Sequence, residues 1–489
     1  MIVGVGQWLH RADGLDDALE PADLMAEAVR AASADAGLSG VPDADSIRVV
    51  ALLSWRYGNP AWAVAERLGR SPRELAVTTM GGNSPQSLVN ATARQILAGE
   101  LEIAVLTGGE AWRTRMRARK TGVELDWTTA PADAAPVVIG SELEMNLPAE
   151  IERGVYMPVQ VYPMFETAIR AASGASPDTH IERVSEMWAR FSEVAAANPS
   201  AWLREPRTAA EIRTAGAANR MIGLPYPKLM NSNNDVDMAA ALIMTSVEAA
   251  RRLGVPEDRW VFPHSGTDCH EHAFVSHRDT FARTPAVELG SQLALELADV
   301  GIDDIDVIDL YSCFPAAVQL GARSLGLDPY DAGRQLTRTG GLAFAGGPWN
   351  NYVMHAIATV VADLRERPGE RGLVWANGGY ATKHAFGVYA TEPPPAGFRH
   401  ASPQAEIDAL PRRELAPPAD AAGPAEIEAY TVMFGRDGEP ELSIASCLLA
   451  DGRRAWGTSA RPDVSAALRT GEWVGAAVTL DDEGSLHTA

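Results

Sequence analysis

Cysteine is scarce in this sequence, and the few cysteines form no pattern. Cys269, Cys313 and Cys447 lie far apart along the chain, and no Cys-x-x-Cys pair occurs. A disulfide framework or a structural zinc site requires several cysteines at short, regular spacing. The sequence therefore predicts neither kind of site, and its cysteine usage fits a reducing compartment.

Long apolar runs are also missing. No stretch approaches the roughly 18 residues that a helix needs to cross a bilayer. The first residues (MIVGVGQWLH) lack the basic segment that precedes the apolar core of a signal peptide. Hydrophobic residues nevertheless make up 46% of the 489 residues, which suffices for a large buried core. We expect a cytoplasmic globular protein without membrane insertion.

Positive charge is in the minority. The chain has 42 Lys and Arg against 64 Asp and Glu, and its formal net charge is −22. A surface of this sign repels a phosphate backbone, so we expect no nucleic-acid partner. Arg113, Arg115, Arg117, Arg119 and Lys120 form the one dense basic run. This run is either a solvated helix face or a docking site for a ligand that carries phosphate.

Strand-like and helix-like segments alternate through most of the chain. The pattern predicts strands at 2–6 and 47–53 and helices at 24–36 and 61–68, which favours a parallel α/β sheet covered on both faces. Prolines and irregular pieces interrupt the alternation over 113–235, where we expect an inserted loop domain. The alternation then resumes as a second half over 251–392.

The end of the chain has a different composition. Residues 393–424 are rich in proline, alanine and charge, which predicts a semi-extended linker. Residues 425–489 contain short strand-like runs separated by glycine turns. This pattern predicts a small β-barrel-like domain that docks on the main body, because about 65 residues bury little core of their own.

Four segments together resemble the thiolase superfamily, in particular sterol-carrier-type thiolase-like proteins of type 1 with an extra C-terminal domain. They are residues 79–110, which begin within the turn TTMGGNSPQS (78–87) and end in Gly108-Gly109-Glu110, then 231–241 (NSNNDVDMAAA), 306–314 (DVIDLYSCF), and 339–348 (TGGLAFAGGP) with 375–379 (WANGG). The resemblance implies a five-layered αβαβα thiolase fold with two pseudo-repeated halves, 1–112 with 236–250 and 251–392. It implies that 113–235 is the loop domain, and that 425–489 is an OB-like domain.

The resemblance also implies a ligand. Proteins of this type are often called acetyl-CoA acetyltransferases, and we expect coenzyme A or an acyl-CoA thioester of lipid metabolism as ligand or substrate, with no bound cofactor. Thiolases usually pair through the edge strand beside the nucleophile turn, and both a monomer and a homodimer stay open for this chain.

The residues that carry thiolase chemistry have no equivalents here. The acylated cysteine of the family falls on Gly82 or Asn83, and the histidine of its Gly-His-Pro loop falls on Gly347. Its oxyanion asparagine falls on Ala317, and the second acid/base cysteine has no counterpart at Asn377 or its neighbours. A thiolate, a base and an oxyanion hole each lower the barrier of thiolysis. We therefore expect a degenerate site without standard thiolase activity.

Another residue could supply a different reaction. Tyr311 falls where sterol-carrier thiolases have a histidine and where thiolase-like aldolases have a tyrosine, and a buried phenol can return a proton in retro-aldol cleavage of a 3-hydroxyacyl-CoA. Tyr380 is a second candidate. Both are alternatively hydrogen-bonded core aromatics, and Cys313 is interpreted as packing. The remaining alternative is a non-catalytic acyl-CoA-binding accessory protein.

Several residues are candidates for ligand contacts. Arg113, Arg115 and Arg117 are predicted to meet the phosphates of coenzyme A. Gly346 and Asn350 belong to a glycine-rich turn that is predicted to present free N–H groups before a helix capped by asparagine. His270 lies in a histidine-rich segment, 264–277, which is predicted to be a loop at the substrate entrance. The spacing within this segment fits no regular zinc site, so we predict no metal.

Overall fold

The first half of the chain is built from alternating strands and helices, as seen in a computed structural model that describes residues 1–488. Its elements are β1 (Ile2–Leu9), α1 (Pro21–Asp35), β2 (Ser46–Val49), α2 (Pro60–Leu68), β3 (Glu74–Thr78), α3 (Ser84–Leu97) and β4 (Ile103–Ala111). Local chemistry sets the helix ends: Asn59 caps α2 by accepting from the Trp62 N–H at 3.0 Å, and Gly69 ends it in the left-handed region.

The insertion that follows is mainly helical. It contains α4 (Trp112–Thr121), β5 (Val137–Ile139), α5 (Pro148–Glu152), α6 (Pro158–Ser173), α7 (Pro177–Ala197), α8 (Ala209–Arg213), β6 (Met221–Gly223) and β7 (Tyr226–Pro227). The short strand β5 pairs in parallel with β3 and occupies the outer edge of the first sheet.

The second half resumes the alternation. It contains β8 (Asp237–Thr245), α9 (Val247–Leu253), β9 (Phe262–His270), α10 (Pro285–Leu297), β10 (Val307–Asp309), α11 (Pro315–Ser324), α12 (Gly341–Phe344), α13 (Tyr352–Glu366), β11 (Arg371–Gly378) and β12 (Lys383–Ala390). The prediction of a loop over 264–277 is wrong for its first part. Residues up to His270 belong to β9, because β12 pairs with them along the whole strand.

The two halves stack into five layers. The first sheet has the order β1-β8-β4-β2-β3-β5. In the second sheet, β10, β11, β12 and β9 follow one another. Helices α3 and α13 contact strands of both sheets and form the middle layer, while α1 and α2 cover the first sheet and α10 covers the second. The five-layered αβαβα class predicted from the sequence is confirmed.

The C-terminal segment is more firmly integrated than predicted. It contains β13 (Arg399–Ala401), α14 (Gln404–Asp408), α15 (Pro418–Ala421), β14 (Gly423–Phe434), β15 (Pro440–Leu448), β16 (Arg454–Ser459), α16 (Pro462–Leu468), β17 (Ala477–Leu480) and β18 (Leu486–His487). The region predicted as a linker holds β13, which pairs with β9 as the last strand of the second sheet. Backbone hydrogen bonding to an available sheet edge outweighs the extended tendency of its proline-rich composition.

The tail sheet shares strands and contacts with the rest of the chain. Strand β14 pairs with β6 of the insertion, and β7 pairs with β6. Arg454 is fully buried and donates to the carbonyl oxygens of Ser276 at 2.7 Å and Arg278 at 2.6 Å, while it also pairs with Glu428. The tail is therefore fixed on the main body by a buried cation. The OB-like assignment stays a prediction.

No helix within residues 1–488 combines the length and apolar character that crossing a membrane demands.

Candidate functional site

The turn between β3 and α3 holds a glycine that has no room for a side chain. An ideal Cβ on Gly82 would lie 2.6 Å from Tyr311 Oη and 2.4 Å from the backbone oxygen of Asn377. Contacts below 3.0 Å require these atoms to move, and one of them belongs to the backbone. The turn, the loop after β10 and the end of β11 thus converge at Gly82, and the space of a residue-82 side chain is already filled.

Asn83, the other candidate for the nucleophile position, makes a different set of contacts. Its Nδ2 donates to Ser87 Oγ at 3.2 Å. Its Oδ1 is buried and has no hydrogen-bond partner within residues 1–488. The amide carries no nucleophilic group, and an unpaired buried acceptor is costly unless a ligand or water supplies the donor.

Tyr311 is the residue after β10 that reaches the turn. Its ring packs edge-on against Tyr352 with centroids 5.6 Å apart, and the residue is 7% exposed. Its hydroxyl has no hydrogen-bond partner in the part of the chain that the structure describes. Burial raises the pKa of Tyr311 well above its ordinary value, so the phenol is neutral and keeps its proton. Ala317, predicted at the oxyanion position, lies buried within α11.

A second tyrosine at the site comes from the insertion. The hydroxyl of Tyr162, on α6, accepts from Asn377 Nδ2 at 2.8 Å and from the Ala381 N–H at 2.9 Å, and its ring stacks on Phe314. Asn377 Oδ1 is buried without a partner in residues 1–488. Sequence reasoning missed Tyr162, because no motif links a helix of the insertion to a hairpin more than 200 residues later.

The three thiols are all buried and free of disulfides. Burial raises the pKa of Cys313 to about 12 and that of Cys447 to about 12, and it raises the pKa of Cys269 as well. A thiol is a strong nucleophile only as the thiolate. None of the three is thus activated for attack on a thioester.

Tyr380 is placed away from the Gly82 turn. Its hydroxyl lies 2.6 Å from the Tyr156 carbonyl and 3.0 Å from Asn146 Oδ1, both in the insertion. The side chain therefore fastens the loop after β11 to the insertion. The structure does not bring this candidate acid to the same place as Tyr311.

The glycine-rich turn before α13 differs from the prediction in two respects. The Gly347 N–H is not free, since it donates to the Asn233 carbonyl at 2.8 Å. Asn350 is not the helix cap, because its Nδ2 donates to the Ala51 carbonyl at 2.8 Å. The Gly347 N–H and the Asn350 amide are thus engaged within the protein, and the asparagine at the helix cap is Asn351, which makes no side-chain cap hydrogen bond. The ligand contacts predicted for Gly346 and Asn350 stay predictions. Gly346 itself packs closely on Met238.

The predicted phosphate-binding arginines lie on α4 and are each engaged within the protein. Arg113 pairs with Asp235 at 2.8 Å, Arg115 donates to the Leu53 carbonyl, and Arg117 donates to the Ala12 carbonyl at 2.7 Å. A guanidinium has five N–H donors, so these contacts leave donors for a ligand. The role in phosphate binding stays a prediction.

His270 lies beside a cavity of about 440 Å³ on another side of the nucleophile turn. Besides His270 at the end of β9, the cavity is lined by one face of α3, the residues that follow β5, the start of β12, and β13. We call it the α3 cavity. His384 also lines it; its Nδ1 faces Trp375 Nε1 at 3.4 Å, and its Nε2 is buried without a partner in residues 1–488. Within those residues no cluster of side chains suited to a metal ion occurs.

Comparison with known proteins points to one family. Residues 403–485 match the family described as the thiolase-like protein type 1 additional C-terminal domain. The structure is similar to that of a monomeric SCP2-thiolase-like protein type 1 from Mycobacterium smegmatis, with 33% identity, a TM-score of 0.82, and coverage of 98% of this chain and 96% of that one. No curated protein matches the sequence.

Two more distant structures share the fold alone. One is the Ltp2–ChsH2(DUF35) aldolase, with 21% identity, a TM-score of 0.60, and coverage of 80% of this chain and 97% of that one. The other is an acetyl-CoA acetyltransferase from Syntrophomonas wolfei, with 17% identity, a TM-score of 0.55, and coverage of 80% and 98%.

Proposed function

The chain belongs to the family of SCP2-thiolase-like proteins of type 1, and from this premise we propose that it binds coenzyme A or an acyl-CoA thioester without catalysing thiolysis or Claisen condensation. The ligand's thioester end would lie at the Gly82 turn, where the two halves and the insertion meet. The reaction itself would be absent because no residue there can form the acyl-enzyme.

The contact between Gly82 and Tyr311 carries this proposal. A phenol fills the place where the side chain of residue 82 would begin, so the turn offers no covalent anchor. The buried amide oxygens of Asn83 and Asn377 near the same turn lack donors within residues 1–488. A polar ligand or an ordered water at the turn would satisfy them, which supports a retained binding function.

Calorimetric titration and a turnover assay test the proposal together. We expect both coenzyme A and acetyl-CoA to bind, and acetoacetyl-CoA with free coenzyme A to give no acetyl-CoA above the uncatalysed rate. No heat beyond the blank at about 1 mM ligand, which corresponds to a binding free energy weaker than about −4 kcal/mol, would reject binding. Measurable thiolysis would contradict the proposal that the chain does not catalyse this reaction.

The α4 arginines can be tested with a matched pair of ligands. Arg113→Gln should weaken coenzyme A binding about three- to tenfold, as expected for one lost charge-assisted contact. Pantetheine lacks the nucleotide phosphates, so its affinity should be unchanged. Equal weakening of both ligands would mean that Arg113 acts through its ion pair with Asp235 and makes no phosphate contact.

A second candidate function rests on the Tyr311 hydroxyl, which has no partner within residues 1–488. In retro-aldol cleavage of a 3-hydroxyacyl-CoA, a base removes the hydroxyl proton, the Cα–Cβ bond breaks, and the enolate takes a proton. A neutral phenol at Gly82 could deliver that proton without any thioester to the protein. Tyr311→Phe should abolish such cleavage; a lyase rate that survives this substitution would eliminate the candidate.

A further inference from the structure

The α3 cavity borders the Gly82 turn, but Tyr311 does not line it. Its lining includes Asn83 and Lys383 but none of Gly82, Tyr311 or Asn377, so it lies on another side of the same turn. The α3 residues that face it, among them Ser84, Ser87, Leu88 and Ala91, recur at helical spacing. At about 440 Å³ the cavity has the size of a small-molecule site.

Lys383 is an unusual residue in this position. It is 8% exposed, and no carboxylate of residues 1–488 lies within ion-pair distance of its nitrogen. The nitrogen donates to the Met80 carbonyl, at the edge of the nucleophile turn. Buried lysines are normally paired with a negative charge. Burial lowers the pKa of this amine against the opposing charge of Glu142, which also lines the cavity. A lowered pKa favours the neutral, nucleophilic form.

Lysine is rare in this chain, whereas arginine is common. Only three of its 42 Lys and Arg residues are lysines, namely Lys120, Lys228 and Lys383. The first two are exposed. If the turn needed only a cation to donate to the Met80 carbonyl, arginine would supply more donors. Arginine cannot lose its proton in a protein, whereas a desolvated lysine can.

Groups for proton transfer line the same cavity. His400 Nε2 lies 2.8 Å from Asp268 Oδ2, and Ser87 Oγ donates to Asp268 Oδ1 at 2.5 Å. Asn90 also donates to Asp268 at 2.9 Å, so the carboxylate is held in place. The carboxylate orients the imidazole, whose Nδ1 can accept or donate a proton. An amine, a histidine–aspartate pair and a hydroxyl therefore surround one small space.

We propose that Lys383 captures a small aldehyde or ketone in the α3 cavity as an imine. The amine nitrogen adds to the carbonyl carbon, and the resulting carbinolamine loses its oxygen as water. A C=N bond then replaces the C=O bond, and no oxidant or reductant is consumed. The His400–Asp268 pair carries protons to the departing oxygen and from the nitrogen. This site shares Asn83 with the thioester site proposed at Gly82 and differs from it in its reactive group, the Lys383 amine.

Reductive trapping tests this directly on the unmodified protein. The full chain is incubated with propanal and cyanoborohydride, which reduces imines, and the modified lysines are mapped by peptide mass spectrometry. Each unit by which the pKa of an amine is lowered raises its neutral fraction about tenfold. We expect Lys383 to be alkylated faster than Lys120 and faster than Lys228. Equal labelling of the three, or faster labelling of the two exposed lysines, would overturn the proposal.

Variants separate the cavity from general lysine reactivity. Lys383→Met should lose the fast adduct, and the double variant Lys120→Met/Lys228→Met should keep it. His400→Asn should slow imine formation while leaving the thermal midpoint nearly unchanged. The relative labelling rates of the three lysines are measured on the wild-type protein, so they test the proposal even if Lys383→Met does not fold. If His400→Asn does not change the rate at which the Lys383 adduct forms, the proposed proton transfer by His400 is wrong.

Discussion

Tyr311 Oη lies 2.6 Å from the point at which a Cβ on residue 82 would stand. The phenol and a side chain at the turn therefore exclude each other, although the two residues come from opposite halves of the fold. Restoring a nucleophile at this position requires more than one substitution, because the partner atoms must move as well.

Gly82→Ala should lower the free energy of unfolding by about 1–3 kcal/mol, as overpacking does in a filled core. Urea denaturation measures this change. In a Tyr311→Phe background the cost should shrink by at least about 0.5 kcal/mol, since the closest side-chain contact is gone. Gly40→Ala is the control, because no atom lies within 4 Å of its added Cβ. Identical costs in both backgrounds would contradict the steric exclusion.

The native protein should resist thiol reagents. Cys269, Cys313 and Cys447 are buried with raised pKa values, so a colourimetric disulfide reagent should react with none of them in the folded state and with all three in guanidinium chloride. Cys313→Ser should leave binding of acetyl-CoA unchanged. A rapidly reacting thiol in the folded protein, lost in Cys313→Ser, would restore Cys313 as a nucleophile.

Acid should destabilise the protein through buried histidines. Burial lowers the pKa of His384 to about 3 and that of His355 to about 3, from 6.5. Between pH 3 and pH 6.5 the unfolded chain binds more protons at these histidines than the folded chain does. Their contribution to the free energy of unfolding is therefore complete above pH 6.5 and is lost as the pH falls towards 3. Each histidine contributes a slope of about 1.4 kcal/mol per pH unit.

The comparison of two histidine variants isolates this effect. His384→Asn should reduce the pH slope of the unfolding free energy by about 1.4 kcal/mol per unit over that window. His10→Asn serves as the control, because the His10 imidazole is not buried and bonds only to the Asp17 carbonyl; the slope should change less than in His384→Asn. The slopes come from chemical denaturation at a series of pH values, and an unchanged slope in His384→Asn would refute the assignment.

Two neighbouring arginines should differ strongly in their importance for the tail. Arg454→Met removes a fully buried cation and leaves Glu428 and two carbonyl oxygens without their donor, so we expect a loss of about 3–5 kcal/mol. Arg453→Met breaks only surface pairs, with Asp451 and Asp420, and should cost much less than Arg454→Met. Denaturation and limited proteolysis check both, and equal losses would contradict a buried anchor.

Local sequence patterns predict the parts of the candidate site that lie on short, continuous segments. The turn at 78–87 and the strand before Tyr311 are local patterns. Their strands, β3 and β10, belong to different sheets, and the stacking of the two halves brings Tyr311 to Gly82. Tyr162 and Lys383 escaped notice because burial and partners are properties of the folded chain. The hydrogen bond from Asn350 to the Ala51 carbonyl joins residues 299 positions apart, so no local pattern indicates it.

The shared sheet of the tail has a consequence for the order of folding. Strands β6 and β7 leave the ribosome about 200 residues before β14, the strand with which β6 pairs. Until β14 is synthesised, the edge of β6 is unpaired and open to other chains. Closing this sheet late adds long-range contacts, which slow folding. Synthesis of the last segment therefore ends an interval in which the nascent chain is exposed to aggregation.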